Sequence, residues 1–407
     1  MAARASGSGA LSAGARPRIA LVAAGVVTPV GQDVDAFWSS LLTGVDGIST
    51  IERFPVGDLR VGRGGEIKKL TRVKDWAGVP ECRATRVLIS AADDLSAQAG
   101  LRARGIDPSR LAVVVGTALG GVEEGEHALA GDRTARRLRG AFYDSPAHNL
   151  ARWLGARGPA ITVSTACASG ASSLGLGADL LRHGQADAVV AGGYDVLCRF
   201  VMRGFDALRS LTRDRVRPFD RRRSGLLLGE GAGLVLMMRE SEAGGRRLGT
   251  LLGHASVGDG AHISAPHPEG RGLERAVRMA MAQADASPAQ IELVSAHGTG
   301  TTLNDRIETA VLKRVLGARA HDVPVNSIKS TMGHTMGAAA TLEAVMCLYA
   351  GRHGQVPPTR HLEEPDPECD LDYVPGQPRA ARPRVSLSTS LGFGGQNAAL
   401  VLEAAPA

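Results

Sequence analysis

Two hydrophobic signals alternate along most of the chain. Short, nearly continuous apolar runs recur at residues 18–25, 111–116, 160–163, 186–193 and 231–238. Between them lie stretches with helical spacing at 35–42, where Phe37, Leu41 and Leu42 share one face, and at 86–99 and 171–181. From about Gly249 the alternation begins again, with strands expected at 251–258, 291–296, 385–389 and 398–402 and helices at 273–284, 305–316 and 336–350. Runs that are apolar on both faces read as strands buried between layers. Strands alternating with helices then predict an α/β protein with buried sheets. The division that follows is an Ala/Gly/Ser-rich leader without ordered structure over 1–17, an N-terminal half over 18–248 and a C-terminal half over 249–407. A transit peptide is the alternative for the leader. Residues 51–75 have weak periodicity and read as a surface excursion, and 225–231 as a structural turn.

Composition narrows the class. The longest apolar runs are far too short to span a bilayer. The cysteines at 82, 167, 198, 347 and 369 are scattered and without CxxC spacing. That argues against a disulfide framework or a structural zinc site, and for a reducing, cytoplasmic compartment. The net charge is +6, and nearly all the basic residues are arginine. Two Arg-rich segments, 131–143 and 213–223, read as solvated faces able to meet an acidic partner. The aromatic–basic interleaving and recognition helix of nucleic-acid-binding proteins are missing from the sequence.

Candidate chemistry centres on Val163-Ser164-Thr165-Ala166-Cys167-Ala168-Ser169-Gly170, where a strand, a tight turn and a helix follow one another. A thiol at a helix N-terminus meets unpaired N–H groups and a positive dipole end, both of which favour thiolate. A buried structural cysteine is the alternative. His297 stands at a strand end in Ser295-Ala296-His297-Gly298-Thr299-Gly300-Thr301. Lys329 and His334 flank a glycine-containing turn before a helix, and Leu391-Gly392-Phe393-Gly394-Gly395-Gln396-Asn397 is a glycine turn whose N–H groups can face a ligand. Catalytic zinc on Cys167, His297 and His334 fits by residue type, but no pair of them has short ligand spacing.

Taken in order, these segments resemble the β-ketoacyl-acyl-carrier-protein synthases of the thiolase superfamily, the decarboxylating type with one Cys and two His. The likeness runs from Arg18 to Glu403. It implies a thiolase-like duplicated α/β/α/β/α layered fold. It implies that Cys167 holds an acyl chain as thioester, that the N–H groups of Cys167 and Phe393 form an oxyanion hole, and that His297 and His334 stabilise the enolate left when a malonyl thioester loses CO2. It further implies that Lys329, with Glu343, supports the second histidine. The same likeness implies that Thr299, Thr301, Phe205, Gly392 and Gly394 bind pantetheine and acyl chain, that Phe393 gates the pocket, and that Asp305 and Glu308 brace the loop after His297. The implied partners are an acyl carrier protein and a second subunit, in a homodimer or a heterodimer, without metal or other cofactor. A weakly catalytic subunit of a heterodimer is the alternative function. Thr302, Gln396 and Tyr194 depart from the usual pattern, the last two at positions able to reshape the pocket or a dimer contact.

Overall fold

Every residue of Ile19–Val27 is buried, and this strand, β1, is the axis of the molecule. Ile19, Leu21 and Val26 face one core while Ala20, Val22 and Val27 face another, so an apolar run without polar alternation is what the position requires. The computed structural model describes residues 16–245 and 247–406. The first fifteen residues of the expected leader lie outside the described residues.

Nine more strands join β1 in one sheet: β2 (Leu111–Gly116), β3 (Ala160–Val163), β4 (Ala188–Asp195), β5 (Gly231–Arg239), β6 (Gly249–Gly258), β7 (Leu293–Ser295), β8 (Val325–Asn326), β9 (Val385–Gly392) and β10 (Gln396–Ala404). Their order is β8-β7-β9-β10-β6-β1-β5-β4-β2-β3. From either edge inward, each half contributes its third, second, fourth, fifth and first strand. The pairing senses match as well: the outer three strands of each half are parallel and the inner ones antiparallel. The duplication is thus plain in the topology. The halves meet where Ile19–Leu21 pair antiparallel with residues 249–251.

Eight helices matter here: α1 (Val34–Thr43), α2 (Arg83–Ala99), α3 (Ser145–Leu154), α4 (Ser169–Arg182), α5 (Arg199–Ala207), α6 (Arg271–Gln283), α7 (Thr302–Leu316) and α8 (Ala339–His353). Helices α4 and α8 touch each other and strands of both halves, forming the middle layer. α2 and α3 cover the N-terminal half, α6 and α7 the C-terminal half. The close fit tests easily at Gly25, where a Cβ would overlap the Ala91 carbonyl of α2. Gly25→Val should destabilise the fold by about 1–3 kcal/mol, read as a lower unfolding midpoint.

The structure changes three expectations. Residues 51–75 are no mere surface excursion: Ile51, Val61, Glu66 and Ile67 are buried, and Gly65 N–H donates to Leu228 O at 2.8 Å. The segment has no period because it crosses the protein as a strap rather than lying on one face. Helix α5 had no counterpart in the sequence reading, since it buries little beyond Val201 and Met202 and leaves Phe200 exposed. Trp38, not only Phe37 and Leu41, is buried on α1, while Leu42 packs at the rim of the core. Among the described residues no helix is long and apolar enough to cross a membrane.

Candidate active site

The turn between β3 and α4 is built to present one side chain. Thr165 N–H donates to Ser169 Oγ at 2.9 Å, and Ser169 Oγ donates to Ala166 O at 2.6 Å. Ala166 takes a left-handed φ of 50°, a conformation non-glycine residues adopt rarely. Cys167 follows it, buried on the wall of a cavity of about 350 Å³. Gly392 closes in from the far side; a Cβ there would lie 2.9 Å from Thr165 O and 3.1 Å from Cys167 N. The approach brings the Phe393 amide to the thiol, which the N–H groups of Phe393 and Cys167 both favour in its ionised form.

These N–H groups favour thiolate, as expected of the turn, but burial outweighs them. Burial pushes Cys167 up to about 12, and the nearby Lys329 ammonium only partly opposes it. Alkylation of the free protein by iodoacetamide should therefore keep accelerating through pH 9 instead of levelling off near neutrality.

His297 leaves the end of β7. Its N–H and that of Gly298 donate to the Glu308 carboxylate on α7, at 2.8 and 2.9 Å, and Glu308 also accepts from Thr389 Oγ1 at 2.6 Å. Asp305, one turn earlier, accepts from Phe219 N–H at 2.8 Å and Gly300 N–H at 3.2 Å. His334 sits on the turn before α8. Its N–H donates to Leu227 O at 2.7 Å and its carbonyl accepts from Gly229 N–H at 2.9 Å. Residues 225–231 are therefore the support of the second histidine as well as a turn. Met336 N–H donates to His334 Nδ1 at 3.3 Å. In the neutral ring Nδ1 is then the acceptor, so Nε2 carries the proton. That Nε2 is buried and has no hydrogen-bond partner among the described residues.

The two imidazoles meet edge to face, with centroids 5.2 Å apart and planes at 86°. Both are held well below the ordinary imidazole range, first by burial and then by the Lys329 ammonium. Lys329 is itself buried and paired with Glu343. Two neutral imidazoles beside a thiol can donate hydrogen bonds to a developing oxyanion without delivering a full positive charge.

Cys167, His297, His334, Thr299, Thr301, Phe205, Gly392 and Phe393 all line this cavity. Phe205 stacks on Phe393 with centroids 5.4 Å apart. Thr299 Oγ1 and Thr301 Oγ1 lie 3.0 Å from each other. Lys329, Glu343, Asp305 and Glu308 stand behind the wall. Gly394 is not in the lining; its N–H donates to Ile263 O at 2.9 Å, and its φ of 76° suits glycine. Tyr194 is buried in the outer core of the N-terminal half and Gln396 pairs within the sheet, so neither lines the cavity; Thr302 does, at its rim.

The Arg-rich segments fare differently from expectation. Arg217, Arg221, Arg222 and Arg223 of 213–223 are taken up in ion pairs with Asp214, Glu363, Glu364 and Asp366. Arg213 and Arg215 stay exposed. Segment 131–143 borders a separate hollow, with Arg137 paired to Glu124 and Asp132. Sequence reading missed part of the mouth: exposed Leu208, Arg209 and Leu303, and Asp259, Ser264, Ala265 and Pro266. Among the described residues, no three His, Cys, Asp or Glu side chains come together as a metal-ion site.

Comparison with known proteins gives a consistent answer. Residues 16–243 match the beta-ketoacyl synthase N-terminal domain and 248–363 the C-terminal domain. The chain is 34% identical over 408 residues to 3-oxoacyl-[acyl-carrier-protein] synthase 2 of Synechocystis sp. (strain ATCC 27184 / PCC 6803 / Kazusa), covering 95% of this chain and 98% of the relative. It is 36% identical over 415 residues to the tetracenomycin polyketide synthase ketoacyl synthase alpha subunit of Streptomyces glaucescens, covering 95% and 97%. Among solved structures, the ishigamide ketosynthase/chain length factor superposes with a TM-score of 0.90 at 33% identity, covering 96% of this chain and 100% of that one. A type II polyketide synthase acyl-carrier protein in complex with its ketosynthase bound to the hexaketide gives a TM-score of 0.89 at 29% identity, with 96% and 100% covered. With this fold, and with one thiol and two neutral imidazoles converging on one cavity, the chain belongs to the β-ketoacyl synthase family.

Proposed function

We propose that this protein is an acyltransferase that joins an acyl group held on Cys167 to a malonyl thioester with loss of CO2, giving a 3-oxoacyl thioester, in fatty-acid or discrete polyketide synthesis. The observation that carries the reading is the shared cavity: Cys167, His297 and His334 line it together, and the His334 Nε2 proton has no partner among the described residues. In the first half-reaction the Cys167 sulfur attacks the acyl thioester carbonyl, the N–H groups of Cys167 and Phe393 take the developing oxyanion, and collapse of the tetrahedral intermediate breaks the carrier's C–S bond, the carrier thiol leaving with the proton that Cys167 gives up. One such donor is worth about 3 kcal/mol in the transition state. In the second, the malonyl thioester oxygen accepts from both imidazoles as CO2 leaves. The resulting carbanion attacks the acyl-Cys167 carbonyl, and the thiolate leaves. Phe393, stacked on Phe205, gates the acyl pocket; Thr299 and Thr301 serve the pantetheine amides. The scheme uses no metal or organic cofactor.

The substrates arrive on an acyl carrier protein. Supporting this, the mouth combines apolar Leu208 and Leu303 with Arg209, and exposed Arg213 and Arg215 follow on the same segment. The relatives' names include an acyl-carrier-protein synthase and an acyl-carrier protein in complex with its ketosynthase. Arg213→Glu with Arg215→Glu should raise KM for carrier-linked substrate by about tenfold, while a small N-acetylcysteamine thioester keeps its KM.

The complete Cys, His, His and Lys set favours a condensing subunit over a weakly catalytic one. A second subunit is part of the reading: the half-buried edge strand β3, with Ile161 and Val163, leads straight into the nucleophile turn, and among the described residues no strand pairs with its outer edge. The partner is a second copy or a related chain, as in the ketosynthase/chain length factor relative. Five buried free thiols suit a cytoplasmic compartment. The test is turnover with acyl- and malonyl-carrier protein: CO2 and 3-oxoacyl product should appear in equal amounts. Product formation without a malonyl requirement would overturn the reading.

A further inference from the structure

Asp195, the last residue of β4, is fully buried, and among the described residues no cation pairs with it. Its carboxylate accepts four hydrogen bonds from two separate segments. Thr117 Oγ1 donates at 2.6 Å, Ala118 N–H at 2.9 Å and Leu119 N–H at 3.0 Å, all from the loop after β2. Gly337 N–H donates at 2.7 Å from the turn after His334. The preceding amide, that of Met336, is the one that donates to His334 Nδ1. Met336 has a left-handed φ of 49°, costly for a side chain of its size. Such a conformation persists only when its surroundings over-determine it. Gly337 supplies that constraint, because it is wedged between Thr117 and Asp195: a Cβ there would lie 2.7 Å from Thr117 Cα and 2.8 Å from Asp195 Oδ2.

We infer that Asp195 is a positioning residue for the reaction: by holding Gly337 it fixes the strained Met336 amide against His334 Nδ1, and so keeps the proton of the neutral imidazole on Nε2, facing the substrate. The charge of Asp195 has a second consequence. It stands against the Cys167 thiolate, in opposition to Lys329. Loss of that charge therefore separates the two parts of the site, weakening the histidine while making the thiol more reactive.

The inference rests on the decarboxylation reading only for its activity readout. The experiment compares wild type with Asp195→Asn by three measurements: decarboxylation of a malonyl thioester, alkylation of Cys167 by iodoacetamide, and the ring-nitrogen NMR shifts of His334. The carboxamide introduced by this substitution keeps one acceptor oxygen but cannot serve all four donors. Expected are a kcat for decarboxylation lower by about 10- to 100-fold with KM little changed, alkylation as fast or faster, and loss of the single Nε2–H signature of His334. Thr117→Val, which removes one donor and keeps the carboxylate, should move kcat and ring shifts the same way by a smaller factor, and decides the matter if Asp195→Asn does not fold. Asp195→Glu should recover part of the rate. Unchanged kcat and ring shifts would overturn the inference. So would a parallel fall of decarboxylation, alkylation and unfolding midpoint, which is what a purely structural role gives. If wild type itself releases no CO2 from a malonyl thioester, the condensation reading falls, while the His334 ring shifts still decide the place of Asp195.

Discussion

Cys167→Ala should abolish chain elongation, by about 10³-fold or more in kcat, while CO2 release from a malonyl thioester stays measurable. The split follows from the geometry. In the proposed reaction the thiol is the acyl acceptor, and among the described residues Cys167 is the one cysteine on the cavity wall. Decarboxylation needs instead a stabilised enolate oxygen, and the donors proposed for that are His297 and His334. Radioactive CO2 release and product formation, measured on the same variant, separate the two steps. Equal loss of both would mean that the thiol also takes part in decarboxylation.

The second large effect is expected at Lys329. The side chain is buried with its partner Glu343, so Lys329→Ala strands a carboxylate in the interior and should cost about 3–5 kcal/mol of stability. It also removes the cation that, after burial, does most to keep both imidazoles neutral. In wild type the depressed imidazoles stay neutral as pH falls through 6.5, the ordinary value for histidine. Decarboxylation should therefore be flat from about pH 7.5 to below 6.5. Without Lys329 the imidazoles move back up toward their ordinary value, and activity should drop on the acid side at higher pH than in wild type. Lys329→Met combined with Glu343→Gln removes both charges. It should recover much of the stability and still show the shifted acid limb, because the cation is gone in both variants. An acid limb identical to wild type in the double variant would show that burial alone sets the imidazoles.

How much of this was legible in the chain depends on distance along it. β1, β2, β4 and β5 are apolar on both faces and read directly from composition. The motifs around Cys167, His297, His334 and Phe393 were legible because each keeps its chemistry and glycines within a few consecutive residues. The acidity of Cys167 was not: a local reading sees the helix N-terminus, whereas burial by segments far along the chain decides the sign. Asp195 was missed for the same reason. It ends an apolar strand like any other polar stop, and its donors lie 76 to 142 residues away. The loop through Asp259 and Pro266 has no hydrophobic period, so its place at the cavity mouth could not be read. The fate of 213–223 was likewise hidden, since Arg221, Arg222 and Arg223 find their acidic partners some 140 residues on.

In the proposed cycle one chain waits on Cys167 while malonate loses CO2 beside it. The most direct measurement is mass spectrometry of the protein after acyl-carrier protein is supplied alone, and again after malonyl-carrier protein is added. A single acyl adduct is expected at Cys167, stable until malonyl substrate arrives and then discharged as 3-oxoacyl product with one CO2 for each chain extended. An adduct on another residue, or product formed without any adduct at Cys167, would contradict it.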